Sequence, residues 1–166
     1  EDFWELFKVK ADFDNQIDNT EENLDAYAAF ISKCCHTENI LPFDPSGVAR
    51  VTEYGVRLAS DKRKLSTRFG LIQEVCIEAS YWARHEQSTR VTNKYVKKAI
   101  EEKIYRSNLI DERMRTLITD GTIMIDVEGE VIGQVNGLAV YDLGNISFGK
   151  PSRITASTYL GKDGVI

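Results

Sequence analysis

The sequence predicts an α+β protein, helical first and sheet-forming last. Two observations predict it. From Asn19 to about Asp120, apolar residues recur at spacings of three and four, the period of a helix with one buried face. After Gly121 the period shortens to two, the period of a strand. Composition supports a folded chain, with 42% hydrophobic and 28% charged residues, enough apolar mass to form a core. The 166 residues suffice for one medium domain, or for a small domain and part of another.

The elements follow in order. Leu6 to Phe13 alternates loosely and reads as a short strand or extended segment. Asn19 or Thr20 can cap a first helix, with Glu21 and Glu22 in its first turn, where the helix dipole favours negative charge. Leu24, Tyr27, Ala28, Ile31 and Cys34 or Cys35 form its inner face. The stretch NILPFDPSG then breaks the helix. Asp44 caps a second one, with Pro45 at the first position, where a missing N–H costs nothing. Val48, Val51, Gly55, Leu58 and Ala59 face inward. ASDKRKLST reads as a polar loop, after which Ser66 or Thr67 starts a third helix with Phe69, Ile72, Val75, Cys76, Ala79, Trp82 and Ala83 as its stripe. Thr92 caps a fourth helix through Val96, Ala99, Ile100 and Ile104. The pattern resumes at Ile110, Met114, Leu117 and Ile118, with a bend near Ser107 and Asn108, and Asp120-Gly121 ends it.

Three strands are expected beyond that point: Ile123 to Val127, a second from Val131 after a Glu128-Gly129-Glu130 turn, and a third from Arg153 to Leu160. Asn136-Gly137 lies inside the second, as a bulge or a close backbone approach. Three strands leave a border without partners. The chain is therefore expected to be a piece of a longer protein.

Charge and composition exclude several functions. Acidic residues outnumber basic ones by 26 to 21, a net charge of −5, which disfavours nonspecific nucleic-acid binding. No apolar run reaches the ~18 residues of a membrane helix, and no signal peptide is visible. Three cysteines, two of them adjacent, make no disulfide framework and fit a reducing, cytoplasmic setting. Cys34-Cys35-His36 has no second ligand pair at zinc spacing, so no metal site is expected and a core role for these cysteines is. The phosphate loop GxxxxGK[ST] is absent, so the chain alone should not hydrolyse nucleotide. Ser147-Phe148-Gly149-Lys150 matches the S-x-x-K pattern of serine–lysine acylases, but Gly149 and Pro151 disfavour the helical turn that chemistry needs. Trp82 reads as a core aromatic, and the run KKAIEEKIYR as a wet helix face with pairs such as Lys98–Glu102. Arg68 opposes the dipole if it stands in the first turn of the third helix. It then either meets an anion or lies solvated beside Asp61 or Glu74.

Three stretches together resemble Lon-type ATP-dependent proteases, in particular the bacterial Lon-related branch: LFKVKADFD, KLSTRFGLIQEVCIEASYWA and GEVIGQVNGLAVYDLGNISFGKPSRITA. The resemblance covers essentially the whole chain, and GQVNGLAVYDLG is its most specific part. It implies residues 1–18 as the tail of an ATPase large subdomain, 19–101 as a four-helix AAA-type lid, 102–122 as a connecting helix, and 123–166 as the first strands of an incomplete protease domain. The phosphate loop, the magnesium-binding acids and the catalytic serine and lysine would then lie outside the chain, and no catalytic residue is assigned. Arg68 matches the position of a second sensor arginine touching the terminal phosphates of ATP. Lys8 or Lys10 stands where related ATPases place a trans-acting arginine finger, with lysine in place of arginine. Val135, Leu138, Val140 and Tyr141 would border a groove for unfolded polypeptide. The family further implies ATP and magnesium in the intact protein and a homo-oligomer, a hexamer, in the cytoplasm. The rival reading is a winged-helix nucleic-acid binder. Helices two and three would form its helix–turn–helix, DKRKLSTR the phosphate contacts, and IDVEGEV a wing made unfavourable by Asp126, Glu128 and Glu130.

Overall fold

A computed structural model describes residues 6–142 and 147–158, with only the backbone of Asp142. The chain forms two compact units, Glu1–Glu101 and Glu102–Ile166. The fold class is α+β, with five helices and two small antiparallel sheets among the described residues.

The first unit holds β1 (Gln16–Asp18), α1 (Glu21–Thr37), α2 (Pro45–Ala59), β2 (Lys64–Ser66), α3 (Phe69–His85) and most of α4 (Asn93–Ser107). Local chemistry sets the helix ends. The Thr20 hydroxyl accepts from the Asn23 N–H at 3.3 Å, with Glu21 and Glu22 in the first turn. Asp44 accepts from the Gly47 N–H at 2.8 Å and the Ser46 hydroxyl at 2.7 Å, with Pro45 opening α2. Ser60 closes α2 in the left-handed region at φ 55°. The Thr92 carbonyl accepts from Tyr95 and Val96 at the start of α4. The core lies between α1, α2, α3 and α4. Tyr27, Ile31, Val51, Leu65, Ile72, Val75, Val91 and Val96 are its main buried side chains.

Two small strands replace expected irregular chain. β1 pairs antiparallel with β2, in the register Gln16↔Ser66, Ile17↔Leu65 and Asp18↔Lys64. Of the two readings of Leu6–Phe13, short strand or extended segment, the strand does not form; residues 7–15 belong to no helix or strand. ASDKRKLST is thus not only loop, because Leu65 and Ser66 are both fully buried. Three residues with one apolar side chain carry too little period to betray a strand. Its stabilisation is tertiary, through the Tyr27 hydroxyl, which donates to the Ser66 carbonyl at 2.5 Å.

The second unit contains α5 (Leu109–Thr119), β3 (Gln134–Asp142) and β4 (Ser147–Thr155). The expected bend becomes a break at Asn108, which separates α4 from α5. No residue of α5 is buried, and Ile110 of its apolar stripe is 45% exposed. The expected strand Ile123–Val127 and its Glu128–Glu130 hairpin do not form, and residues 123–131 belong to no strand. The winged-helix reading loses its wing with them. β3 pairs instead with β4, unbroken from Gln134↔Thr155 to Asp142↔Ser147. Asn136-Gly137 makes no bulge. A Cβ on Gly137 would lie 2.8 Å from the Ile154 side chain, so a side chain, not backbone, makes the close approach. The expected third strand starts six residues earlier than Arg153, at Ser147, and its expected end at Leu160 lies outside the described residues.

Candidate functional site

The junction of β2 with α3 carries Arg68. Arg68 does not sit in the first turn; it is the residue before α3, at φ −73° and ψ 65°. Neither Ser66 nor Thr67 caps that helix. The Ser66 hydroxyl accepts the Arg68 N–H at 3.2 Å, and the Thr67 hydroxyl donates to the Asp14 carbonyl at 2.8 Å. α3 therefore starts without a side-chain cap and without an acidic residue in its first turn. Backbone carbonyls meet part of that start instead: the Phe69 N–H donates to Thr67 at 2.8 Å and the Leu71 N–H to Arg68 at 3.1 Å. Space beside the helix start is open, since a Cβ on Gly70 would meet nothing within 4 Å.

The Arg68 side chain is exposed, and its Nη2 donates to the Leu58 carbonyl at 3.0 Å. That carbonyl belongs to the last turn of α2, where the helix end carries partial negative charge. Asp61, one partner considered for Arg68, is taken by Arg63: it accepts from the Arg63 N–H at 2.8 Å and pairs with Nη2 at 2.9 Å. These hydrogen bonds hold the Asp61 carboxyl down to about 2. Lys64 is likewise paired, with Asp18 at 2.8 Å. Arg63 and Lys64 of the basic run are thus neutralised within the fold, whereas the Arg68 fork meets a neutral carbonyl among the described residues. An uncapped helix start, open space and a guanidinium can together receive an anion such as the end of a phosphate chain. The described residues hold no group of three or more His, Cys, Asp or Glu suited to a metal.

The remaining candidates lie elsewhere. Lys10 pairs with Asp12 at 2.7 Å in the non-regular segment that also bears Lys8. Val135, Leu138, Val140 and Tyr141 all lie on β3 and are exposed, from 44% for Tyr141 to 72% for Val140. Among the described residues β3 pairs on one edge only, with β4. Ser147 and Lys150 lie on β4, an extended segment, so the one-turn geometry of a serine–lysine pair is absent there. Cys34 and Cys76 are buried in the first unit, and Cys35 donates to the Leu41 carbonyl at 3.5 Å. Burial pushes all three thiols above their ordinary range, with mutual proximity adding to it for Cys34 and Cys76. This is the inert setting of structural cysteine. Trp82 is half-buried, not fully in the core. Lys98, matched by spacing with Glu102, has its Nζ 3.8 Å from the Trp82 ring centroid instead. An i,i+4 pair does form one residue earlier, Lys97–Glu101 at 3.7 Å.

Residues 42–106 match the family described as the archaeal LonB AAA+ ATPase LID domain. Over those residues the chain is similar to a Lon-type AAA+ lid. The matched span runs from the loop before α2 to the end of α4 and includes β2, Arg68 and α3. A Lon protease homolog of Escherichia coli (strain K12) is 36% identical over 64 residues, covering 37% of this chain. The chain matches only about a tenth of that relative's length, 11%. Arg68 stands directly after the loop DKRKLST, which is how the sequence singles it out as a candidate. The uncapped start of α3 and the Leu58 carbonyl gave no sequence signal, because the first depends on contacts of Ser66 and Thr67 with Tyr27 and Asp14 and the second on how α2 ends.

Proposed function

We propose that this chain is the lid-bearing segment of an ATP-dependent Lon-type protease, and that Arg68 contacts the terminal phosphates of ATP bound by the rest of the ATPase. The observation that carries the reading is the match of residues 42–106 to an AAA+ lid, with an exposed arginine at an uncapped helix start inside it. ATP and magnesium would supply the free energy of hydrolysis; this chain's part is electrostatic. Arg68 offers a planar fork of N–H donors to an anion. Loss of the phosphate would remove that anchor and let the lid turn, so that hydrolysis becomes motion. The proposal extends to a homohexamer in the cytoplasm acting on unfolded polypeptide, with a serine–lysine pair as nucleophile and base. Lys8 or Lys10 would serve as the cation reaching a neighbouring nucleotide. The free edge of β3, with Val135, Leu138, Val140 and Tyr141, suits addition of an extended peptide as a strand.

The test is Arg68→Ala in the intact ATPase. ATP turnover should fall about tenfold or more, the scale on which phosphate-clamping cations act. Folding should be nearly unchanged, since the side chain is exposed. Unchanged turnover would remove Arg68 from the nucleotide site.

A further inference from the structure

We infer that α1, through Tyr27 and Phe30, positions Arg68 for its phosphate contact; this rests on the reading of Arg68 given above. The starting point is what α3 fails to do. Arg68 precedes that helix, and no side chain caps the helix start. Its backbone is held from the other direction. The Arg68 N–H donates to the hydroxyl of Ser66, a residue with no exposure. The carbonyl of that same Ser66 receives the Tyr27 hydroxyl at 2.5 Å. On the far side of Arg68, the Phe69 ring lies 4.6 Å from Phe30 and 5.9 Å from Tyr27, centroid to centroid. Ser66, two residues before the arginine, and Phe69, the residue after it, are therefore both held against α1, while Thr67 between them is bonded to Asn15 and Asp14 and the arginine side chain reaches solvent.

Two further contacts give the tether one setting. Tyr27 is 1% exposed and passes over Gly55, where a Cβ would lie 2.5 Å from its hydroxyl oxygen. The ring has little room to shift toward α2. The guanidinium is oriented by its single bond to the Leu58 carbonyl at 3.0 Å, three residues along from Gly55 on α2. A planar fork with one donor fixed keeps its remaining donors in a set direction. A buried phenylalanine would fill the same volume as Tyr27. The hydroxyl adds a directional bond to the Ser66–Thr67 peptide, and Ser66 in turn holds the Arg68 N–H through its own hydroxyl. A misplacement of about 1 Å at a phosphate-contacting group is enough to lower its effect on turnover markedly.

The experiment is a double-mutant cycle in the intact ATPase, with ATP as the probe and both KM and kcat recorded. Tyr27→Phe should raise the KM for ATP about three- to tenfold at a small loss of thermal stability. Combined with Arg68→Ala, it should cause no further rise, because its effect passes through Arg68. Additive losses in the double variant would make Tyr27 a purely structural residue and overturn the inference. So would an unchanged KM in Tyr27→Phe alongside a raised one in Arg68→Ala. An Arg68→Ala variant with wild-type KM and kcat would instead refute the phosphate-contact reading itself. Should Tyr27→Phe lose its fold, Ser66→Ala carries the same cycle, since it removes the acceptor of the Arg68 N–H. In this chain by itself, Tyr27→Phe should speed amide hydrogen exchange at Arg68 and Phe69 more than at Ile72 or Val75. A uniform change along α3 would count against the tether.

Discussion

Gly55→Ala separates two opposed effects in the lid, and the structure says which wins. In an exposed helix the exchange stabilises by about 0.8–1 kcal/mol, because alanine loses less backbone entropy on folding. Here the added Cβ would stand 2.5 Å from the Tyr27 hydroxyl oxygen, 2.9 Å from Cε1 and 3.0 Å from Cζ. The closest of these is about 1 Å short of ordinary contact. Tyr27 cannot simply swing away, being tied to the Ser66 carbonyl and walled in by the core. Overpacking of this kind costs about 1–3 kcal/mol. A displaced hydroxyl adds roughly 0.5–1.5 kcal/mol for its hydrogen bond. The net expectation is a loss of about 1–3 kcal/mol. For a unit of about 100 residues each kcal/mol moves Tm by about 4–8 °C. Thermal and urea unfolding followed by circular dichroism measure it, with Gly70→Ala as the control. A Cβ on Gly70 meets nothing within 4 Å, so that variant should be unchanged or stabilised by up to about 1 kcal/mol. In a Tyr27→Phe background the penalty of Gly55→Ala should shrink, because the nearest atom and its bond are both gone. A Gly55→Ala protein as stable as Gly70→Ala would refute the steric account of Tyr27.

Ile72→Ala should destabilise the first unit by about 2–5 kcal/mol, since Ile72 is wholly buried and its removal leaves a cavity; a shift below 1 kcal/mol in urea unfolding would show that the core collapses around it. On the acid side, Asp44 and Asp61 both have folded-state carboxyls held below their ordinary values by hydrogen bonds, Asp61 at about 2. A group lowered on folding stabilises above its unfolded pKa of about 3.9 and loses that stabilisation as pH falls toward the folded value. The urea midpoint should therefore decline from about pH 5 downward, and Asp61→Asn should flatten the part between about pH 4 and pH 2. Because both groups are at the surface, 1 M salt should reduce the effect of the Asp61–Arg63 pair.

The helices were legible because their evidence is repeated along the chain. Thr20 and Asp44 are capping residues beside long apolar stripes, and both caps form as their positions imply. The errors fall where a signal is short or where period two has no partner to confirm it. β2 is invisible in sequence because its one apolar residue, Leu65, is only recognisable as core once Tyr27 and β1 are beside it. TIMIDV alternates well enough for a strand, yet β3 takes β4 as partner through nine residue pairs, and period two alone does not say which segment a strand will pair with.

The candidate site follows the same logic at finer scale. Arg68 could be chosen from its type and from the loop that carries it, but its placement before α3 could not. A serine and a threonine precede it, and either would serve as a cap in an isolated helix. Both are diverted: Ser66 is buried under Tyr27, and Thr67 is bonded back to Asp14, which β1 brings alongside. Tertiary contacts from α1 and β1 thus strip α3 of its cap and leave an arginine at the bare end. Backbone carbonyls of Thr67 and Arg68 meet the Phe69 and Leu71 N–H groups, so what the start lacks is a side-chain cap. Restoring a cap there, by Arg68→Asp, puts a good capping residue at that position and so separates the two demands. Stability of the first unit should hold or rise while ATP turnover in the intact ATPase falls. A protein made less stable by that exchange would mean that the bond from Arg68 to Leu58, not an anion, is what the arginine is there to make.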